Sequence, residues 1–354
     1  MRNLILPFIL LLTLVFSCRE NDADEGLEQK NASYDVYIAG QKNGIACYWK
    51  NGNRTDLTNG TGITARKIIV ENNDIYVFAV SNATPYNYYF WKNNIKIDIH
   101  QYIGLNINTT NPLDYFHSID DFLIDQGNVY FFGRVRSPIT QIPSTGTYTR
   151  ELCYWKNGVK TVLFTENPPV TQTYVTTRNF TIYNGDVYIP VNKMLNNLVD
   201  SPIELGYFKN NIYTIISPYS GQKNFRNISS SSNGVYLSIS DNATNNTYYK
   251  NILSNSDIHI SQSVKGKFKI DGNDIYDFSN GQNYFKNDVL TISNYASGFN
   301  NIEDLSALDQ NVYQIRSKST SDIKESYKVY INNTEIQHIN NSDGIFTSLF
   351  IKQN

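Results

Sequence analysis

Asp186-Val187-Tyr188, followed downstream by Tyr207-Phe208-Lys209-Asn210, is one copy of a pair of motifs that recurs along the whole chain. The first motif, an acidic, amide or glycine residue before Val or Ile and then Tyr, occurs at seven places. Besides 186–188 these are Asp35-Val36-Tyr37, Asp74-Ile75-Tyr76, Asn128-Val129-Tyr130, Gly234-Val235-Tyr236, Asp274-Ile275-Tyr276 and Asn311-Val312-Tyr313. The second motif, two aromatics and Lys-Asn, trails each of them: Tyr48 to Asn51, Phe90 to Asn93, Tyr154 to Asn157, Tyr248 to Asn251 and Tyr284 to Asn287, with a decayed last copy at Val329-Tyr330-Ile331-Asn332. Self-similarity at about 46 residues per unit belongs to the β-propeller range.

Each unit reads as four short strands. A β-branched or aromatic run such as Ile68-Ile69-Val70 or Phe122-Leu123-Ile124 precedes the first motif across a tight turn. The first motif is the second strand, and the aromatic-Lys-Asn motif ends the third. Turns such as Asn51-Gly52 and Asn157-Gly158 then open a fourth. The first unit begins directly at its second strand, whereas the final residues, Phe346 to Asn354, align with a first strand. The fold expected is therefore all-β: a seven-bladed β-propeller of four-stranded blades over residues 34–354, its ring closed by the C-terminal strand completing blade one.

Over residues 35–354 the chain resembles β-propeller lipoproteins of Gram-negative bacteria with Tyr-Trp-Lys-Asn-Gly repeats. It lacks the Trp-Asp blade ends of WD40 proteins and the Asp boxes of sialidases. The N-terminus agrees with that resemblance. Arg2 and the apolar run Leu4 to Phe16, too short for a stable span, read as a signal peptide over residues 1–17. Val15-Phe16-Ser17-Cys18 resembles a lipobox, which implies acylation of Cys18 and membrane attachment through that lipid. Residues 18–33, rich in Asp and Glu, form the expected tether. Their acidity is similar to the signal that carries some lipoproteins to the outer leaflet, so the location expected is the outer membrane, with display at the cell surface.

With 30 Lys and Arg against 32 Asp and Glu, the chain has a net charge of −2 and no concentrated basic run, so nucleic acid is not an expected partner. Aromatics at 14% exclude a disordered chain, and roughly one residue in eight is Asn, which favours strands joined by tight turns. Cys47 and Cys153 occupy equivalent places in non-adjacent repeats, so no disulfide is expected. With four isolated histidines and no Cys-x-x-Cys pair, no metal and no cofactor are expected.

The turns between first and second strands, and between third and fourth, share one face and are short. The other connections share the opposite face, and long ones are expected at His100–Ser118, Arg134–Thr149, Thr165–Thr177 and Pro190–Leu205, all in blades two to four. One-sided insertions mark a binding face, and on it Tyr102, Tyr115, His117, Tyr148 and Tyr174 are candidate contacts for a glycan or protein ligand. Aligning the starts of the inner strands gives Arg66, Asp120, Arg178, Arg226, Gly266, Glu303 and Thr347 as a ring at the channel mouth. Its guanidiniums suit a carboxylate, sulfate or phosphate; the alternative is ion pairing between blades through Asp120 and Glu303. Trp49, Trp91 and Trp155 sit at repeat positions and read as blade packing. No Gly-x-Ser-x-Gly or other nucleophile motif is present, and no catalytic residue is assigned. The function expected is a non-catalytic envelope scaffold. The alternatives are a polysaccharide hydrolase or lyase using His117 or a channel carboxylate, and a structural subunit of an envelope complex.

Overall fold

A computed structural model describes residues 33–84, 86–105, 117–141, 148–166, 173–176, 179–194, 203–218, 223–261, 266–278, 281–291, 298–320, 323–340 and 343–354. The signal peptide, Cys18 and the tether lie outside the described residues.

The strands group into seven antiparallel sheets, one per repeat. Blade one holds β1 (Tyr34–Lys42), β2 (Ile45–Lys50) and β3 (Asn53–Thr61); blade two holds β4 (Ile63–Glu71), β5 (Asp74–Ser81), β6 (Tyr88–Lys92) and β7 (Ile95–Asp98), followed by the short helix α1 (Ile99–Tyr102). Blade three is β8 (His117–Asp125), β9 (Asn128–Gln141), β10 (Tyr148–Lys156) and β11 (Val159–Glu166). Blade four is β12 (Thr173–Thr176), β13 (Thr181–Tyr183), β14 (Asp186–Met194), β15 (Ile203–Lys209) and β16 (Ile212–Ser217); β12 and β13 both lie along β14 and share the innermost position. Blade five is β17 (Lys223–Ser231), β18 (Gly234–Asp241), β19 (Asn246–Asn251) and β20 (Ser256–Ser261). Blade six is β21 (Lys267–Asp271), β22 (Asp274–Phe278), β23 (Tyr284–Lys286) and β24 (Val289–Thr291). Blade seven is β25 (Asn301–Leu308), β26 (Asn311–Thr320), β27 (Ile323–Ile331) and β28 (Thr334–Asn340). The last strand, β29 (Gly344–Gln353), is the innermost strand of blade one, in the order β29-β1-β2-β3, and closes the ring. Thr347 Oγ1 donates to the Ala39 carbonyl at 3.1 Å and to the Ala65 carbonyl of blade two at 2.7 Å, while Leu349 N–H reaches Asp304 of blade seven at 2.9 Å. Residues 33–35 and 351–354 form a small unit of their own, in which the Asn354 N–H bonds to the Ser33 carbonyl at 2.9 Å.

The two motifs recur because each pair builds one clamp. The motif asparagine sits at positive φ (Asn51 49°, Asn93 47°, Asn157 49°, Asn210 56°, Asn287 48°, Asn332 52°), a region that Asn tolerates better than other non-glycine residues. From there its Oδ1 accepts the N–H of the first motif's Val or Ile, at 2.8–3.0 Å in six blades. Its Nδ2 donates back to the motif's leading residue, as from Asn210 to Asp186 at 2.8 Å and from Asn157 to Asn128 at 2.8 Å. The preceding lysine pairs with the same aspartate (Lys92–Asp74 2.9 Å, Lys209–Asp186 2.8 Å, Lys286–Asp274 2.7 Å) and stands over the motif tyrosine at 5.3–5.8 Å. Blade five departs from this pattern for a steric reason. Asn251 folds onto Gly234, whose φ is 151° and where a Cβ would lie 2.5 Å from Asn251 Nδ2, so glycine stands where other blades carry Asp or Asn.

The core is divided among the blade interfaces. Phe78 and Phe90 of blade two pack on Phe122, Phe131 and Trp155 of blade three, and Tyr236 and Tyr249 of blade five pack with Phe268 and Ile275 of blade six. All seven motif tyrosines are buried, and so are Trp49, Trp91 and Trp155. Blades seven and one meet through Phe346, 6.3 Å from Tyr327 and edge-on to Trp49 at 4.9 Å.

Candidate functional site

The inner strands share a local irregularity that builds the site. In β4, β8, β17 and β25 the ladder with the neighbouring strand skips one residue, and the skipped residues are Arg66, Asp120, Arg226 and Glu303. Each is the extra residue of a β-bulge, which bends the strand and frees a backbone group from the ladder. The next residue repairs that loss in three blades. The Oδ1 atoms of Asp121, Asn227 and Asp304 accept the N–H groups of Phe122, Ile228 and Leu305 at 2.8–3.0 Å. In blade three the strand opposite the bulge carries a glycine: a Cβ on Gly133 would lie 1.9 Å from the Ser118 carbonyl oxygen.

Beyond the bulge the strands resume their alternation. Ile68, Phe122, Phe180, Ile228, Phe268, Leu305 and Leu349 point into the blades and are buried. Lys67, Asp121, Asn179, Asn227, Lys267, Asp304 and Ser348, one residue earlier, therefore face the channel. Direct links among the described residues join neighbouring blades there: Lys67 Nζ to Asp121 at 2.6 Å, Asn179 to Asn227, and the Leu349 N–H to Asp304 at 2.9 Å. The channel encloses a cavity of about 960 Å³, within the range of small-ligand sites. Its lining runs from the bulges to Ile69, Ile124 and Lys269 and stops short of the tight turns, so the cavity lies toward the face of the longer connections. Arg66, Lys67, Arg226, Lys267 and Lys269 line it together with Asp120, Asp121 and Asp304, an excess of cations in a chain whose net charge is −2.

Of the expected mouth ring, Arg66, Asp120, Arg226, Gly266 and Thr347 line this cavity. Glu303 is engaged within its own blade, with Ser317 Oγ and Lys324 Nζ each at 2.5 Å. Asp120 stands 3.8 Å from Arg134 Nη1, also of its own blade. Neither Arg66 nor Arg226 pairs with these carboxylates: Arg226 donates through Nε to Ser240 Oγ at 2.7 Å, and Arg66 is exposed with no ion pair among the described residues. Arg178 lies outside the described residues.

The connections differ from the expectation in extent. Strands β9 and β10 prolong their hairpin so that only 142–147 joins them, β14 and β15 are joined by 195–202, and β11 and β12 by 167–172. A further long connection, 292–300, joins blades six and seven, so the insertions are not confined to blades two to four. His100 and Tyr102 belong to α1, which Asp98 caps by accepting the N–H groups of His100 at 2.8 Å and Gln101 at 3.2 Å. His100 is buried, and burial lowers its pKa against the opposing effect of Asp98. The Tyr102 ring packs on Phe90 and Phe131 at 5.2 and 6.1 Å. His117 opens β8 opposite Val135, Tyr148 lies in β10 opposite Gln141, and Tyr174 lies in β12 opposite Lys193; their side chains, and Tyr115 altogether, lie outside the described residues. Cys47 and Cys153 are buried free thiols, that of Cys47 pushed up to about 12 by burial and that of Cys153 raised further. Among the described residues no three His, Cys, Asp or Glu side chains gather in a metal-binding group.

No protein-family model matches the chain, and no curated protein does. Solved structures share its fold. A puromycin-hydrolysing peptidase of Mycobacterium tuberculosis aligns with a TM-score of 0.53 at 10% identity, over 86% of this chain and 51% of its own. Apo AztD from Citrobacter koseri aligns over 90% of this chain and 98% of its own, at 8% identity and a TM-score of 0.49. An acylaminoacyl peptidase of Pyrococcus horikoshii aligns over 87% and 50%, at 11% identity and 0.48. At such identities the likeness is one of fold, and fold does not transfer function.

The residues missed in the sequence are the channel-facing ones one place after the expected ring, together with Lys269. Their signal is the polar residue before each buried aromatic or aliphatic of the inner strand, as in Asn179-Phe180 and Lys267-Phe268. The bulge shifts the side-chain alternation by one residue, and a period-two reading does not register that shift.

Proposed function

We propose that this chain is a non-catalytic lipoprotein of the cell envelope, a propeller scaffold that binds a glycan or a protein partner through the face of its longer connections. Acylation of Cys18 anchors it at the outer membrane, with the propeller displayed at the cell surface. The observation that carries the binding role is the cavity of about 960 Å³ toward that face, with five cationic and three acidic residues in its lining. The non-catalytic reading draws support from three groups that burial makes poor nucleophiles or bases: both described thiols are held protonated, and His100 is enclosed beside Tyr88. The test is binding of the full chain, in detergent, to an array of neutral glycans, acidic glycans and peptides, repeated with Arg66, Arg178 and Arg226 changed to Ala. A signal weakened at least tenfold in the triple variant supports the reading. A wild type that binds nothing on the array, or turns over a polysaccharide on it, contradicts it.

A further inference from the structure

The cavity has two unlike walls. At the level below the polar ring, alternation places Phe350, Ile69 and Leu123 of blades one to three on one side, and Thr181, Ser229 and Lys269 of blades four to six on the other. Lys267 and Lys269 are both exposed, and among the described residues neither ammonium has a hydrogen bond or an ion pair. They share a strand and a face, so their Cα atoms are about 7 Å apart, close enough for one oxyanion group to meet both ammoniums. The carboxylates nearby are otherwise engaged: Asp121 with Lys67, and Asp304 with the N–H groups of Leu305 and Leu349. The hydroxyl-bearing Thr181 and Ser229 and the Phe350 ring line the same cavity.

We propose that the channel takes the carboxylate-bearing end of an acidic saccharide, with Lys267 and Lys269 holding the carboxylate, Thr181 and Ser229 bonding to hydroxyls, and the C–H face of the sugar lying on Phe350. This rests on the reading above that the ligand approaches from the face of the longer connections, and it names the chemistry recognised there. A neutral sugar leaves the two neighbouring ammoniums without an opposing charge from the ligand, so the site discriminates by charge, and the discrimination weakens as salt rises.

The test is calorimetric titration of the full chain in detergent with trigalacturonate and, separately, with its methyl ester, on wild type, the Lys267→Ala/Lys269→Ala double variant and the Lys267→Arg/Lys269→Arg double variant. Wild type is expected to bind the trisaccharide at least tenfold more tightly than the ester. The alanine pair should lose that difference and the arginine pair keep it, with melting unchanged because both lysines are exposed. Equal affinity for acid and ester, no binding of either, or an alanine pair that binds as wild type does overturns the proposal. If such a failure is accompanied by an array signal that survives Lys267→Ala/Lys269→Ala, the channel proposal falls and the scaffold reading stands; an array on which wild type binds nothing fails the scaffold reading itself.

Discussion

Replacing Asn210 by alanine isolates the clamp that makes each repeat a blade. Asn210 holds φ at 56°, accepts the Val187 N–H at 3.0 Å and donates to Asp186 at 2.8 Å. Alanine removes both bonds and leaves a partly buried backbone N–H without its acceptor, at about 1 kcal/mol for each bond. It also keeps a Cβ in the left-handed region without the polar side chain that lets asparagine tolerate it, which adds about 1 kcal/mol. The expected loss is therefore about 3 kcal/mol. Glycine at the same place loses the bonds without the strain, for about 2 kcal/mol. Aspartate keeps the bond to Val187 and sets a second carboxylate against Asp186, whose own pKa is held down by Lys209 and Asn210; its stability should recover toward wild type as both carboxylates are protonated at low pH. The assay is urea unfolding of the full chain followed by far-ultraviolet circular dichroism, with the fluorescence of the buried Trp91 and Trp155 as a second probe. An alanine variant within about 0.5 kcal/mol of wild type, below the net worth of even one such bond, refutes the clamp as the reason for the repeat.

Four further outcomes follow from the same structure. Asp277 is buried against the Tyr249 hydroxyl and its carboxyl is pushed up to about 7 by burial, from an ordinary 3.8. Between those values the folded state holds a proton that the unfolded chain has released, so stability falls as pH rises through that window. Asp277→Asn should remove up to about 1.4 kcal/mol per pH unit of that fall; parallel stability curves for variant and wild type between pH 4.5 and 6.5 would show the assignment to be wrong. Gly133→Ala drives a Cβ into the Ser118 carbonyl and should prevent accumulation of folded protein, whereas soluble expression with an unchanged melt speaks against the close approach at the bulge. Deleting Phe346–Asn354 strips blade one of its innermost strand and should unfold or aggregate the chain; an intact melting transition in the truncated protein would refute closure. Cys18→Ala should move the protein from the membrane to the soluble fraction, and continued retention in membranes refutes the lipid anchor.

The repeat, the hairpin turns and the closing strand were legible because each rests on local chemistry that a sequence displays. Asn-Gly and Asn-Asn pairs demand positive φ, and a C-terminal apolar run lacking its own Asp-Val-Tyr needs a blade to join. Other features depend on contacts remote in sequence. The split of blade four's inner strand into β12 and β13 falls in a Thr-rich stretch that reads as a connection, yet Thr173–Thr176 pairs with Val191–Met194. The helix at Ile99–Tyr102 follows an alternating Ile95-Lys96-Ile97-Asp98 run, and only the Asp98 cap turns it. In four inner strands the channel-facing side chains come one residue later than a period-two alignment places them, because a bulge adds a residue without changing composition. Arg66, Asp120 and Arg226 nevertheless reach the cavity, since a bulged residue at the rim and its successor below it line the same space.

The most direct measurement is hydrogen–deuterium exchange of the full chain with and without trigalacturonate. The account predicts slowed exchange in Ile63–Glu71, Lys223–Ser231 and Lys267–Asp271, the inner strands that carry Arg66, Arg226, Lys267 and Lys269. Protection confined to the tight turns at Asn51, Asn93, Asn157 and Asn210 on the opposite face, or no protection anywhere, would contradict it.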